Sequence, residues 1–386
     1  MKNSFDEIPN RLASESLKWH KYAPDVVPMW VADMDFRSPQ PVIDALKKRA
    51  EHGIFGYPGD MPEFQQVIVD RMQSRYGWKI QPEAVIFLPG VVTGFNLACH
   101  ALAQPGQGAL IQTPVYPPFL SAPGNAHLIR QEMELTRDSD GRYSIDFDAF
   151  EAAITAETKV FILCNPHNPV GRVFKRNELE RMAEICQRHG ISIISDEIHC
   201  DLLFPGHRHT PIASLSPEVA ANTITLLAPS KTFNIAGLEC SIAIIPNPET
   251  RERFQKAGEG MSGWVNVMGL TAGLASYQHG QEWLDELLLY LDENRKTLSG
   301  FVSERLHGAQ MTEMEGTYLA WINFNAMDLP GGPYQFFLER AKVAMNDGST
   351  FGKGGEGFLR MNIGCPRSML IEALERMEKA LKSPVA

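Results

Sequence analysis

Several features that would place this chain in a class at once are missing from it. There is no CxxC pair: the six cysteines (Cys99, Cys164, Cys186, Cys200, Cys240 and Cys365) are scattered over 386 residues. A chain this long buries enough surface to fold without cross-links, so free, mostly buried thiols are expected rather than a disulfide framework or a zinc site. No apolar run approaches the ~18 residues of a membrane span, so no membrane partner is expected. Positive charge is also short: 36 Lys and Arg stand against 46 Asp and Glu, a formal net charge of −10. That argues against nucleic acid as the main partner, since binding a phosphate backbone needs a cationic face. A few local cations could still hold a small anion. The start, MKNSFDEIPNRL, lacks the basic-then-apolar pattern of a secretory leader, and a cytoplasmic location is expected. Repeats and low-complexity tracts are absent too.

What is present is an ordinary globular composition, 44% hydrophobic and 21% charged. The length suits two domains with a large core. Short apolar runs at 85–88, 108–112, 160–164, 191–195, 223–227 and 241–245 predict strands, several of them rich in β-branched residues. Between two of these, ELERMAEICQRH at 178–189 places Leu179, Met182, Ala183 and Cys186 on one helical face, and Gly190 supplies a stop. Runs apolar on both sides and joined by helices predict an α/β fold, with a mostly parallel sheet covered on both faces. A long helix is predicted over 281–306, bridging to a smaller C-terminal unit with strands at 318–324 and 357–363 and a last helix at 368–381. The proline-rich first forty residues are expected to be extended and draped over the rest. The domains are read as an N-terminal arm and part of the small domain (1–45), a large domain (46–285) and a C-terminal small domain (286–386).

Three polar residues fall at or just past the ends of consecutive predicted strands: Asn168, Asp196 and Lys231. In open parallel sheets, ligands bind outside the carboxyl ends of strands, so these three are expected to converge. Each has an ordinary alternative: a turn asparagine, a helix-capping aspartate, a solvated lysine. Together, an amide, a carboxylate and an amine suit a cofactor that needs a hydroxyl partner, a ring counter-charge and a covalent anchor. Pyridoxal 5'-phosphate (PLP) needs all three.

The blocks NPHNPVG (165–171), SDEIH (195–199), SKTFNIAG (230–237) and RMNI (360–363) resemble, in order, the signature blocks of fold-type I PLP enzymes, the class I/II aminotransferase superfamily. MWVADMDF (29–36) and TPVYPPF (113–119) make the chain similar to the cystathionine β-lyase/cysteine-S-conjugate β-lyase branch. The resemblance implies an aspartate aminotransferase-like large domain with a mostly parallel seven-stranded sheet, and a smaller α+β domain. It implies that Lys231 carries the cofactor as a Schiff base and moves the Cα proton, and that Asp196 faces the pyridine nitrogen. A close ion pair of that kind is worth ~4 kcal/mol at an effective dielectric of 20. Asn168 is implied to meet the ring hydroxyl, Tyr116 to lie over the ring, and His199 to stand beside the cofactor. The backbone of Gly90, Val91 and Val92 is implied at the phosphate, with Ser230 as a further ligand. Arg360 is implied to clamp the substrate carboxylate, as a two-pronged donor does better than lysine, with Ala32, Asn168 and Tyr57 also around the substrate. Tyr57, in FGYP (55–58), resembles a tyrosine that reaches the phosphate of a neighbouring subunit, which implies a homodimer with shared active sites.

Two positions depart from the aminotransferase pattern. His199 stands where a tyrosine is usual, and fits the lyase branch. Glu239 stands where a phosphate-binding arginine is usual, and its side chain is expected to turn away from the dianion. The implied activity is α,β-elimination on cystathionine- or cysteine-type amino acids, giving a thiol, pyruvate and ammonia. An aminotransferase, and a non-catalytic or regulatory protein that keeps the fold, are the alternatives. Two other patterns are set aside. GKGGEG (352–357) precedes a predicted strand rather than following one, so it reads as a loop and not a dinucleotide site. His207 and His209 have metal-compatible spacing without a third ligand, and read as a solvated loop. Trp19, His20 and Tyr22 read as a packed N-terminal anchor.

Overall fold

The computed structural model describes residues 4–383. Seven strands form the central sheet: β1 (Val85–Leu88), β2 (Gly108–Thr113), β3 (Ile129–Glu134), β4 (Thr158–Cys164), β5 (Ser192–Asp196), β6 (Thr223–Leu227) and β7 (Ser241–Ile244). Their spatial order is β1-β7-β6-β5-β4-β2-β3. Every pairing from β6 to β3 is parallel, and only β7 runs against its neighbours. Both faces are buried, as the apolar runs predict. Val160, Ile162 and Cys164 pack on one side with Phe95 and Phe119; Phe161 and Leu163 pack on the other with Leu179, Met182 and Cys186. The helix carrying those last residues is Arg176–Arg188, and Gly190 follows it at φ 66°.

Six of the strands lie where the sequence predicts them, within two residues. The seventh, β3, is an edge strand of sequence IRQEME in which only Met133 is fully buried. Its polar pattern gives no local strand signal.

The helix α1 (Val91–Leu102) lies against the sheet. A Cβ on Gly94 would come within 2.8 Å of the Leu226 side chain and 3.0 Å of Leu88, so glycine is what lets this helix settle so low on β6. A 25-residue helix, α2 (Gln281–Arg305), leads to the second sheet, where strands Gln310–Met311, Leu319–Asn323, Phe358–Asn362 and Asn346–Asp347 pair antiparallel. The last helix, α3 (Arg367–Lys382), packs Leu370, Leu374 and Met377 into the same core.

Residues 4–40 are mostly irregular, and Val27–Pro28 pairs in parallel with Val343–Ala344. The aromatic anchor forms in part: Trp19 Nε1 donates to Asp35 Oδ1 at 2.9 Å and Tyr22 meets Trp30 edge-to-face, while His20 is exposed and reaches the Ser14 carbonyl. GKGGEG is a loop leading into Phe358–Asn362. All six cysteines are free and buried. Among the described residues, no helix is long and apolar enough to cross a membrane.

Candidate active site

Asp196 is the last residue of β5. Cys164 is its register partner in β4, and Asn168 follows four residues later; Lys231 sits on a single helical turn, Pro229–Thr232, after β6. Adjacent parallel strands therefore bring the three to one edge, where a cavity of about 280 Å³ opens. Asn168, Asp196, His199 and Lys231 line it, with Tyr116 and Arg360. So do Gly90, Val91, Val92, Ser230 and Ala32. Of the twelve residues singled out from sequence, only Tyr57 lies elsewhere. It is 86% exposed and packs edge-to-face on Trp264 at 4.9 Å.

Burial displaces the protonation of most charged groups here. Asp196 is 4% exposed, and desolvation pushes its carboxyl up to about 7. Neighbouring Glu197 adds to this, while the Ile198 N–H (3.0 Å) and Lys231 oppose it. Lys231 is pushed down to about 8, first by burial and then by Arg360, against the pull of Asp33 and Asp196. Its Nζ donates to the Ala32 carbonyl at 2.8 Å. His199 is held near 3 by burial and the cations of Lys231 and Arg360, so its ring is neutral, and its buried Nδ1 has no partner. Burial also raises the Tyr116 phenol.

Arg360 is buried and, among the described residues, forms no ion pair. Its Nη1 donates to Asn168 Oδ1 (2.9 Å) and its Nη2 to Asn346 Oδ1 (2.7 Å) and the Trp30 carbonyl (3.2 Å). Its Nε is left without a partner, and the guanidinium stands over Phe351 at 4.9 Å. Burial brings it down to about 10, still fully charged at neutral pH. A buried guanidinium without a counter-ion is an anion site.

The opposite wall is the start of α1, with Gly90 at the N-cap. No side chain caps it, so its first N–H groups are available to a phosphate. Glu239 also lines the cavity; it is exposed and has φ 50°. It forms part of the rim of the cavity. An amine, an uncompensated buried carboxylate, an unpartnered guanidinium and an open helix N-terminus in one cavity fit PLP and the carboxylate of an amino acid.

Sequence reading missed some neighbours. Cys164 and Cys240, expected as core thiols, also line the cavity wall. Asn346 lies in no recognisable motif and reaches Arg360 only through the antiparallel register Asn346↔Arg360. His209 corrects the solvated-loop reading: it is 1% exposed, with Nε2 2.7 Å from Glu197 Oε2, and Glu197 also accepts from Ser195 Oγ. No cluster of three potential metal-ligating residues occurs among the described residues.

The sheet order and this cavity define an aminotransferase-like fold with its ligand site at the carboxyl ends of the strands. The chain matches the family Aminotransferase class I and II over residues 24–377, and belongs to it. It is 41% identical over 389 residues to cystathionine beta-lyase PatB of Bacillus subtilis, covering 98% of this chain and 100% of the relative. Cystalysin of Treponema denticola, a structure containing a pyridoxal 5'-phosphate cofactor, superposes with a TM-score of 0.95 at 37% identity, covering 99% of each chain. The PLP-bound C–S lyase of Staphylococcus hominis gives a TM-score of 0.92 at 32% identity, again over 99% of each chain. Within the family, the chain is a fold-type I PLP enzyme of the cystathionine β-lyase branch.

Proposed function

We propose that this chain is a PLP-dependent carbon–sulfur β-lyase that cleaves cystathionine- or cysteine-type amino acids to a thiol, pyruvate and ammonia. The observation that carries the reading is the pairing, in one cavity, of an amine brought down to about 8 with a buried guanidinium that has no counter-ion. When bound, the cofactor supplies an electron sink for the pair released at the substrate Cα.

Arg360 takes the substrate carboxylate. Its link to Asn168 and Asn346 fixes the plane of the guanidinium, so the carboxylate, and with it Cα, is held in one orientation. Asp196 provides the counter-charge for a protonated ring nitrogen, which also relieves the cost of its own burial. The α1 N-terminus and Ser230 receive the phosphate, Asn168 meets the ring oxygen, Tyr116 covers the ring face, and His199 stays neutral beside it. Ala32 borders the substrate. Near neutral pH an appreciable fraction of Lys231 is neutral and can accept the Cα proton; the ammonium so formed returns a proton to the departing sulfur.

Tyr57 serves a neighbouring subunit in a homodimer. What supports this is that Tyr57 (86% exposed) and Trp264 (73%) pack on each other at the surface, and that Phe55 and Met261, near them in sequence, are exposed as well. Free, buried thiols suit a cytoplasmic enzyme. The test is to supply cystathionine with no keto acid present. Pyruvate and thiol are expected, and Lys231→Ala should lower their release by about a thousandfold or more. If neither product forms across a panel of sulfur amino acids, the lyase reading falls; labelled nitrogen arriving in an added keto acid would replace it with amino transfer.

A further inference from the structure

A strap of chain at 31–36 lies between the cavity above and a second one of about 650 Å³; Ala32 and Lys231 line both. The strap is held from several sides. Asn362 Nδ2 donates to the carbonyls of Val31 (2.7 Å) and Asp33 (2.9 Å), and the buried Lys18 Nζ donates to the same Asp33 carbonyl (2.8 Å). Asn234, at φ 56°, donates to the Met34 and Phe36 carbonyls (2.9 and 2.7 Å) and accepts from the Met34 N–H (3.1 Å). The short segment that bears Lys231 thus also grips the strap that bears Asp33, while Lys231 itself reaches the Ala32 carbonyl. Two anchors in one segment leave little freedom between Lys231 and Asp33, and both residues line the second cavity.

From the far side, Arg11 Nη2 meets the Asp33 carboxylate at 2.6 Å, with Nη1 on Asp35 Oδ1 at 2.9 Å. Asp35 already has Lys18 at 2.5 Å, so much of the Arg11 charge is left to act on Asp33.

We propose that Asp33 is a positioning residue that holds the ammonium form of Lys231, and that Arg11 moderates its field. On the cofactor side the other titratable and charged groups around the amine are Asp196, Arg360, His199, Tyr116, Glu239 and the thiols of Cys164 and Cys240, with Tyr318, whose hydroxyl donates to the same Ala32 carbonyl at 3.2 Å; on the strap side they are Arg11, Glu15, Lys18, Asp35 and Arg37. Of the carboxylates, Asp33 draws the amine toward its charged form more than Asp196 does. Asp33 would make Lys231 a stronger base toward the Cα proton and keep that proton available for the leaving sulfur. Arg11 would prevent it from holding the proton too long.

The inference rests on Lys231 being the reacting amine, so the test uses two readouts. In the cofactor-free chain, the pH dependence of Lys231 acetylation, followed by mass spectrometry, reads the amine directly. In the holoenzyme, visible absorption is titrated with pH. Asp33→Asn is expected to lower the midpoint of both by about half a unit or more, a roughly threefold change in the ratio of charged to neutral amine. Arg11→Gln is expected to raise it, Arg11→Lys to leave it near wild type, and the double variant Asp33→Asn/Arg11→Gln to follow Asp33→Asn. A midpoint that ignores Asp33→Asn, or single variants that both move it the same way as a merely loosened strap would, overturns the proposal. Should Lys231 not anchor the cofactor, the holoenzyme spectrum will be indifferent to Lys231→Gln while the acetylation readout still reports on Asp33.

Discussion

Two regions meet at Lys231 and treat buried charge in opposite ways. On the side of the strand ends, Asp196, His199 and Arg360 have no ion partner among the described residues, and burial moves them to about 7, 3 and 10. Behind the strap, Lys18 and Asp35 are no less buried, but they face each other at 2.5 Å with Arg11 and Trp19 completing the coordination of Asp35. The first arrangement costs stability and leaves charge available to a ligand; the second satisfies its charge internally and holds a shape. A site that must bind a cofactor and a zwitterionic substrate needs the first kind. A strap that must keep Ala32 and Asp33 in place needs the second.

The contrast can be broken at Lys18. Lys18→Met leaves Asp35 buried with its closest cation gone, and should destabilise the chain by about 3–5 kcal/mol in urea unfolding. Lys18→Met/Asp35→Leu should recover most of that loss, and a mild effect of the single change would mean that the pair is not a structural support. Asp196→Asn sharpens the comparison because it should act in the opposite direction. The folded carboxyl is raised, so its neutral form contributes stability that is complete below the ordinary carboxylate range and is lost as pH rises through about 7. Without cofactor, the asparagine variant should therefore be the more stable protein at pH 8, by up to about 4 kcal/mol, with the gap closing toward pH 4. Cofactor binding should weaken in the same variant. A cofactor-free Asp196→Asn chain that melts earlier than wild type at pH 8 would show that this carboxylate is compensated after all. The smallest effect is expected at Arg360. Arg360→Lys keeps the charge but loses the planar fork, and should lower kcat/KM for sulfur amino acids by about a hundredfold, chiefly through KM, while Tm stays near wild type.

The polar groups of the site were legible to different degrees. Asp196 and Lys231 could be found because each follows a run of apolar, β-branched residues, and the ends of parallel strands share one edge. Arg360 was visible through a resemblance rather than through any local pattern. Asn346 carries no signal in sequence, since its contact depends on which strand lies beside Phe358–Asn362 and in what register. His209 looked solvated because GHRHTP is polar, yet the loop folds inward to pair with Glu197. Strand β3 escaped notice for a related reason: at a sheet edge only Met133 must be buried, and one apolar residue makes no pattern.

By itself, then, the order of residues determined the apolar strands and the helix between them, with their ends to within two residues, but not the polar edge strand β3. Alternation, helical period and terminating glycines are local, and burial on both faces of a strand leaves a local trace. Tertiary structure alone decided which charges would be paired. Lys18 meets Asp35, and Arg360 is left with amides and a carbonyl, through contacts spanning 17 to 330 positions along the chain. Whether a buried cation is satisfied depends on what arrives from such distances, and no local pattern records that.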